Sequence, residues 1–521
     1  MSPEGEAGLA GPGPTTRDRI LGCWLGKAVG GTLGQTFEGL EGPLSADFYY
    51  PVPEGMVPND DLDLQVLYAI VLSDMAEPRV DSQVLAQAWQ DHVSFPWNEY
   101  GVGQRNFAEG IRPPFTGSFD NWFTHGEGAA IRSELWACLA HGDPDLASAY
   151  AEADACFDHA GDGVFAAQFL ARLQTLAFTE SDPDVLLDRA LAGIPVDSDV
   201  HSAVQATRGW VAEGLDWREV RARIMARYGN SDFTDVRPNT AFVVLGWLAG
   251  QDFAERICIT NNCGQDCDSS TASIGALLGI LDPGGIPEPW LQPIGRELIL
   301  NPEVTGINPP ATIDDLTDLV IELGDRLGGR SPAPNDELFD SAAYSIPVEI
   351  AWYNTGFGKW DVRDHTELPP VGASLPVGLN WTAASLPGTW TTWARQAFED
   401  RILFVRYRVD TRGRRSLRLM VNATEHFRVW WDGGFLHAAQ GTQFMFPAPH
   451  MPPVGQYVDL QVAEDEHELI VAIKVPPETR DTAEWVTAIV ERPGFMWIPN
   501  VFRPAARTSP QETQRKDNDV P

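Results

Sequence analysis

The sequence predicts an all-α domain followed by a β-sandwich, and three observations support that prediction. Up to about residue 327, apolar residues recur at helical spacing, with no alternation of strands and helices. Residues 328–335 are rich in Gly, Pro and Ser, a composition typical of linkers. Beyond them, short runs of β-branched and aromatic residues dominate, as at 402–409 and 468–475.

The same patterns give the expected bounds of each part of the chain. Residues 1–16 are Gly/Pro-rich and are predicted to form a disordered leader, followed by the all-α domain at 17–327. A linker at 328–344 leads into the β-sandwich at 345–500. The polar stretch 501–521 is expected to be a flexible tail. A chain of 521 residues is long enough for two hydrophobic cores.

Helical periodicity places the elements of the first domain. The aromatic segment 95–128 is expected to be irregular, and Gly126-Glu127-Gly128 to open a helix after it. The other predicted helices begin at Thr16, follow Asp61, and lie at 83–93, 146–178, 184–194, 198–227, 239–251 and 268–281.

Charge and composition exclude several classes of partner. The formal net charge is 37 − 73 = −36, so neither a nucleic-acid backbone nor an anionic membrane is expected as the main partner. The first residues do not resemble a signal peptide, and no apolar stretch approaches membrane-span length. Six cysteines without a disulfide-module spacing favour free, mostly buried thiols and a cytoplasmic protein. Composition leaves the oligomeric state open.

Two acidic stretches, Pro58–Asp63 and Gly264–Ser269, stand where loop residues give way to apolar helices. Neighbouring carboxylates repel one another unless a cation lies between them, and hard oxygen ligands favour Mg²⁺ or Mn²⁺ over zinc. Each stretch by itself has a second explanation, because Asp and Ser are common caps of helix N-termini. Together they favour a shared cation site.

The glycine-rich segment Val29–Gly34 allows either of two close approaches. Its backbone can come near a ligand or near a neighbouring helix, because glycine has no side chain. A phosphate-binding loop is a poor match, since no Gly-Lys-Ser/Thr ending follows.

Four segments in order resemble the ADP-ribosylglycohydrolase family over roughly residues 17–327. Arg19–Gly30 leading to Glu38 is similar to the family's Gly-Asp-Ala-Leu-Gly…Glu segment, and Asn59-Asp60-Asp61 to its Thr-Asp-Asp-Thr motif. Gly126–Arg132 resembles its Gly-Asn-Gly…Arg helix start, and Gly264–Ser269 its Gly-Gly-Asp-Thr-Asp-Thr motif. The ordered set is specific, whereas any one segment is weak.

This resemblance implies a glycohydrolase that cleaves an ADP-ribosyl or related ribosyl bond with two Mg²⁺ ions, or Mn²⁺, and a water held between them. It implies an all-α catalytic domain with Glu38, Asp60 and Asp266 as catalytic residues. The implied metal ligands are Asn59, Asp60, Asp61, Asp266, Asp268 and Ser269. The implied substrate-binding residues are Glu127, Gly128, Arg132 and His159.

Four positions depart from the family pattern. Gly31 stands where the family has Asp, Asn59 and Leu62 replace the flanking threonines, and Glu127 replaces Asn. Because Glu127 would face a pyrophosphate unfavourably, a glycoside hydrolase acting on another sugar is an alternative, as is a non-catalytic ADP-ribose or sugar-binding protein. Arg132 either reaches a ligand anion or pairs with Glu134 or Glu127, and His159 either binds substrate or packs between helices.

The C-terminal region resembles the galactose-binding-like, jelly-roll sandwiches appended to many glycoside hydrolases. The resemblance rests on Phe427–Gly434, a strand entering a tight turn, and on the strand His467–Val475. It implies either a sugar-binding or a buttressing role.

Overall fold

A computed structural model describes residues 13–354, 367–442, 447–451 and 457–503. The predicted leader and tail lie mostly outside these described residues. The chain divides into two compact units, Met1–Leu338 and Phe339–Pro521. This division falls inside the predicted linker, and the functional bounds of the domains stay a prediction.

The first unit is helical, which confirms the predicted all-α fold. None of its described helices is long and apolar enough to cross a membrane. In chain order the helices are Thr16–Gly34 (α1), Asp60–Asp74 (α2), Ser82–His92 (α3), Asn98–Ala108 (α4), Phe115–Ser118 (α5), Ser133–Leu139 (α6), Pro144–Ala155 (α7), Asp162–Leu176 (α8), Pro183–Leu191 (α9), Asp199–Ala212 (α10), Trp217–Tyr228 (α11), Val236–Ala249 (α12), Phe253–Asn262 (α13), Cys267–Leu281 (α14), Glu288–Leu291 (α15) and Ile313–Leu327 (α16).

Two helices that the sequence predicts as continuous are each divided in two. The predicted helix 146–178 breaks between α7 and α8 at Gly161, and 198–227 breaks between α10 and α11 at Gly214. Both glycines have positive φ, of 57° and 77°, and this left-handed conformation interrupts a right-handed helix. The segment 95–128, expected to be irregular, contains α4 and α5.

Helices α1 and α14 pack with almost no space between their backbones. A Cβ on Gly22 would lie 2.2 Å from the carbonyl oxygen of Gly279. One on Gly26 would lie 2.0 Å from that of Gly275. Glycines four residues apart share one face of a helix, so each helix presents a glycine stripe to the other. The two helices run antiparallel, because Gly22 meets Gly279 whereas the later Gly26 meets the earlier Gly275. The sequence left open whether glycines here approach a ligand or a neighbouring helix, and this stripe packs against a neighbouring helix.

The replacement Gly26→Ala is expected to destabilise the protein by about 1–3 kcal/mol, because the added methyl overlaps a backbone carbonyl that cannot rotate away. The measurement is the midpoint of urea unfolding, followed by the far-ultraviolet helical signal. Gly209→Ala in α10 is the matched control, since a Cβ there meets nothing within 4 Å. We expect that control to stabilise by about 0.5–1 kcal/mol. Equal effects of the two replacements would contradict the stripe.

The second unit contains two antiparallel sheets. One has strand order β10-β7-β12-β5 and the other β4-β3-β6-β11-β8-β9, while the short β1 and β2 pair with each other in the helical unit. The strands are Leu40–Glu41 (β1), Gly264–Gln265 (β2), Ile346–Tyr353 (β3), Thr382–Leu386 (β4), Trp390–Ala394 (β5), Ile402–Asp410 (β6), Ser416–Ala423 (β7), Phe427–Trp431 (β8), Gly434–Ala439 (β9), Tyr457–Gln461 (β10), Glu466–Ile473 (β11) and Thr482–Glu491 (β12).

Alternating side chains of β6 fill two apolar layers. Val405 and Tyr407 belong to a core shared with the four-stranded sheet, whereas Ile402 and Phe404 pack on the opposite face of β6. Neighbouring residues of a strand point to opposite faces, so this pattern follows from the strand geometry. The predicted β-sandwich is confirmed, and its ligand stays open.

Candidate metal centre and active site

The packing of α1 on α14 brings distant acidic residues together. Gly34, the last residue of α1, meets the backbone of Asp268 in the first turn of α14, because a Cβ on Gly34 would lie 2.3 Å from the Asp268 Cα. Just beyond α1, β1 pairs with β2, with Leu40 opposite Gln265. Glu38 and Asp266 are therefore held on adjacent segments although they are far apart in sequence.

The other acidic stretch opens α2, where Asn59 performs the capping. Its Oδ1 accepts a hydrogen bond from the Asp61 N–H at 2.8 Å, and its Nδ2 donates to Asp268 Oδ2 at 3.3 Å. Asp60 and Asp61 lie in the first helical turn, and neither side chain caps the helix. At α14 the cap position belongs to Asp266, whose side chain makes no capping hydrogen bond. Capping therefore does not account for these carboxylates.

The carboxylates form two groups that share one member. Glu38, Asp266 and Asp268 each offer an oxygen, and these three atoms lie within 4.8 Å of one another. Asp60, Asp61 and Asp268 form a second group by the same measure. Asp268 belongs to both groups, so a single side chain joins the two acidic stretches.

Several carboxylate oxygens of the acidic groups have no hydrogen-bond partner among the described residues. Both oxygens of Asp61 and Oδ1 of Asp268 are buried without a hydrogen-bond partner in the described part of the chain. Burial, followed by the charges of Glu38 and Asp60, raises the pKa of Asp268 to about 8. Partial burial of its carboxyl, with the charges of Asp60 and Asp61, raises the pKa of Glu38 to about 7. Such oxygen ligands fit a hard divalent cation such as Mg²⁺ or Mn²⁺.

The buried Lys27 of α1 supplies one fixed positive charge beside these groups. Its Nζ lies 3.1 Å from Glu134 Oε2 and 3.8 Å from Asp61 Oδ1. Lys27 stands one helical turn before Gly31, and both line a narrow cavity beside Asn59. Gly31 stands where the family has Asp, and it therefore leaves space on the helix face that carries Lys27.

Asp63 belongs to the first acidic stretch, but its side chain binds the backbone of a distant loop. Its Oδ2 accepts a hydrogen bond from the Asn301 N–H at 2.8 Å, which ties α2 to a distant loop. Asp63 is in neither carboxylate group. It is therefore a useful control for the neighbouring aspartates.

The Gly126-Glu127-Gly128 segment reaches the acidic groups from another side. Glu127 is buried, and neither of its carboxylate oxygens has a hydrogen-bond partner in the described chain. Burial, followed by the charges of Asp61 and Asp268, raises its pKa well above the usual range. The segment continues as a 3₁₀ turn at Ala130–Arg132 rather than entering an α-helix directly, and α6 follows.

Arg132 is engaged by two buried aspartates. Its guanidinium donates to both oxygens of Asp154 and both of Asp158, at 3.0–3.1 Å. The expected alternative, a pair with Glu134 or Glu127, is wrong, because the two aspartates surround a side chain that is fully buried. The role of Arg132 in substrate binding stays a prediction.

His159 connects this ion pair to α4. Its Nδ1 lies 2.7 Å from Asp158 Oδ1 and its Nε2 lies 3.4 Å from Glu99 Oε1. Burial lowers its pKa, but the charges and hydrogen bonds of Asp158 and Glu99 outweigh burial and raise that pKa to about 9. These contacts favour the protonated form of the buried His159 ring. Both its substrate-binding role and the metal-ligand role of Ser269, buried after Asp268, stay predictions.

Sequence reasoning missed Lys27 and Glu99. Lys27 left a usable signal, a lone charge among the glycines and apolar residues of α1. Glu99 left only a weak one, a single acid within the aromatic run Trp97–Tyr100. All six cysteines are free and five of them are buried, as expected.

Comparison with known proteins gives one family match. The family model described as ADP-ribosylglycohydrolase matches residues 12–329, which is more than half of the chain. An uncharacterized protein of Archaeoglobus fulgidus is 28% identical over 296 residues, spanning 53% of this chain and 91% of its own length.

Two solved structures show weaker likeness. One, titled an ADP-ribosylglycohydrolase-related protein complex, is 22% identical with a TM-score of 0.43, and the match covers 60% of this chain and 98% of that one. A β-glucosidase from Kluyveromyces marxianus in complex with glucose is 6% identical with a TM-score of 0.18, covering 28% and 16% of the two chains. Likeness of this degree carries no argument about function.

Proposed function

The chain belongs to the ADP-ribosylglycohydrolase family, and is thus a hydrolase of glycosidic bonds; from that premise we propose a divalent-cation-dependent enzyme that cleaves an ADP-ribosyl or related ribosyl bond. The supporting observation is the pair of carboxylate groups that share Asp268. Two acidic groups joined by one bridging carboxylate suit two cations held close together.

The residues that would hold the cations are the members of those groups. Asp60, Asp61 and Asp268 would hold one, and Glu38, Asp266 and Asp268 the other, with Asn59 and Ser269 as further oxygen ligands. When bound, Mg²⁺ or Mn²⁺ supplies positive charge that orients sugar hydroxyls and makes a water more acidic.

The chain's own groups would act on the proton and on the leaving group. Glu38 is the solvent-exposed member of the groups, so it is placed to take a proton from the water that attacks the anomeric carbon. The C–O or C–N bond to the leaving group breaks as the new C–O bond forms, and the leaving group recovers a proton. Carboxylates around the site favour the positive charge that develops on the sugar ring.

A second candidate substrate class is a glycoside without a pyrophosphate. The observation that favours it is the buried Glu127, whose two unpartnered oxygens offer no positive charge to a phosphate. The reaction would be the same, because it depends on the anomeric carbon and not on the rest of the substrate.

Turnover of a small substrate panel tests the proposed function. The full chain, loaded with Mg²⁺ or Mn²⁺, is offered ADP-ribosyl-arginine and a set of aryl glycosides that includes aryl ribofuranosides. We expect cleavage of at least one ribosyl bond, and a loss of about 100-fold or more when EDTA removes the cation.

The pattern of turnover separates the alternatives. Cleavage of ADP-ribosyl-arginine supports the first candidate, and cleavage of aryl glycosides alone supports the second. Binding without any turnover would overturn the enzymatic proposal and leave a binding protein. Unchanged turnover in EDTA would contradict the role of a cation.

A further inference from the structure

Glu99 in the first turn of α4 lies in a cradle formed by two glycines. A Cβ on Gly126 would come within 2.6 Å of the Glu99 carboxylate, and one on Gly128 would lie 2.6 Å from Glu99 Oε1. Any side chain at either position would displace Glu99. The two glycines therefore allow this carboxylate to lie against the Gly126–Gly128 segment.

One oxygen of Glu99 has two polar contacts and the other has no hydrogen-bond partner in the described chain. Oε1 accepts a hydrogen bond from the Gly128 N–H at 3.2 Å and lies 3.4 Å from His159 Nε2. Oε2 has no hydrogen-bond partner among the described residues, and it is buried, as is Glu99 as a whole, which is only 4% exposed. A buried carboxylate oxygen without a partner is costly, so it indicates a missing hydrogen-bond donor.

Charge alternates along the chain of contacts behind Glu99. The Arg132 guanidinium pairs with Asp158, Asp158 with His159, and His159 with Glu99. The His159 ring, which lies between two carboxylates, is placed to offset the negative charge of Glu99. Glu99 is thus fixed in position as an acceptor that does not require a metal ion.

The residue next to Glu99 contacts one of the acidic groups. Tyr100, the next residue of α4, donates a hydrogen bond to Asp60 Oδ2 at 3.3 Å. On another side, burial and then the charge of Glu99 contribute to raising the pKa of Asp232 to about 6. Glu99 and the residue that contacts Asp60 therefore lie in the same turn of α4.

We propose that Glu99 forms a subsite that binds a hydroxyl group of the substrate's sugar, with His159 as the residue that positions it. The proposal rests on the proposed function and deepens it. A hydroxyl supplies the donor that Oε2 lacks without adding negative charge, whereas a phosphate would bring a second negative charge beside Glu99. A metal ion fits less well, because Glu99 is in neither carboxylate group of the described residues.

Paired substrates that differ by one hydroxyl test this subsite. The Mg²⁺-loaded full chain is assayed with aryl ribofuranosides and their 2-deoxy and 3-deoxy counterparts, and the binding of ribose and 2-deoxyribose is measured by calorimetry. The wild type is expected to prefer one hydroxylated partner by about 10–100-fold, as hydrogen bonds to charged groups do. Glu99→Ala should reduce that preference to within about threefold, mainly by lowering turnover of the hydroxylated substrate.

Three further variants sharpen the result. Glu99→Gln keeps one acceptor oxygen but no charge, so an intermediate preference is expected. His159→Gln should reduce the preference for the same hydroxyl, a readout that a merely structural residue would not move. Glu77→Gln, which removes an exposed carboxylate elsewhere, should keep the wild-type preference.

Each outcome has one reading. If Glu99→Ala keeps the wild-type preference, or if it lowers the bound Mg²⁺ measured by calorimetry, the subsite is overturned while the proposed function stands. If the wild type cleaves no glycoside but binds ribose in a Glu99-dependent way, the proposed function fails and the subsite stands. Neither turnover nor sugar binding by the folded wild type would overturn both.

Discussion

Replacing Asp268 with alanine is expected to abolish glycosidic turnover, by about 10³-fold or more, and to remove both bound cations. Asp268 is the one carboxylate that belongs to both acidic groups, so its loss leaves each group with two members. A cation stabilises developing charge by several kcal/mol, so losing both ions has a large effect on rate. The measurements are isothermal calorimetry with Mg²⁺ and Mn²⁺ and turnover of the best substrate from the panel.

Variants of the unshared carboxylates give the comparison. Asp60→Ala and Asp266→Ala each remove a member of one group only, so each is expected to retain one binding event in calorimetry. Asp63→Asn is the matched control, because Asp63 shares the buried start of α2 but accepts the Asn301 N–H instead. An asparagine oxygen can accept the same hydrogen bond. Unchanged cation content in Asp268→Ala would refute the shared centre.

Replacing Lys27 with methionine is expected to destabilise the cation-free protein by about 3–5 kcal/mol at pH 7. Lys27 is 1% exposed, and its Nζ faces the equally buried Glu134 at 3.1 Å. Removing one member of a buried ion pair leaves the other charge without compensation. The measurement is the urea midpoint of the helical signal, with EDTA present so that bound cation does not offset the loss.

Two further variants isolate the charge effect of Lys27. The double variant Lys27→Met, Glu134→Gln removes both charges, so it should recover a large part of the lost stability. Arg223→Met breaks an exposed pair with Glu219, and we expect a change below about 0.5 kcal/mol. If Lys27→Met costs less than about 1 kcal/mol, the buried lysine is not the counter-charge described above.

Prediction from sequence succeeded where the signal is local. Helical periodicity up to residue 327 and β-type runs after 345 follow from spacing along the chain, and the family segments are short and ordered. The breaks at Gly161 and Gly214 were missed because a glycine inside an apolar helical pattern can have either sign of φ, and the pattern does not predict which. The pairing of β1 with β2 also depends on a partner far away in the chain.

The site was predictable in its ligands and not in its arrangement. Each acidic stretch by itself could be a helix cap or part of a cation site, because either role uses the same residues, and the two together favoured a shared cation site. The structure separates them, since Asn59 caps α2 and Asp266 does not cap α14. The membership of Asp268 in both carboxylate groups likewise depends on the contact between two helix ends, which the sequence does not show.

The sequence by itself determined the fold class, the family segments and the carboxylates that would hold a cation. The tertiary structure decided which carboxylates share a group, that Lys27 faces Asp61 and Glu134, and that Glu99 has one buried oxygen without a partner among the described residues, beside the Gly126–Gly128 segment. The physical reason is distance along the chain. Periodicity reports which face of an element is buried, whereas the glycine stripe between α1 and α14 sets which buried faces, some 240 residues apart, come into contact.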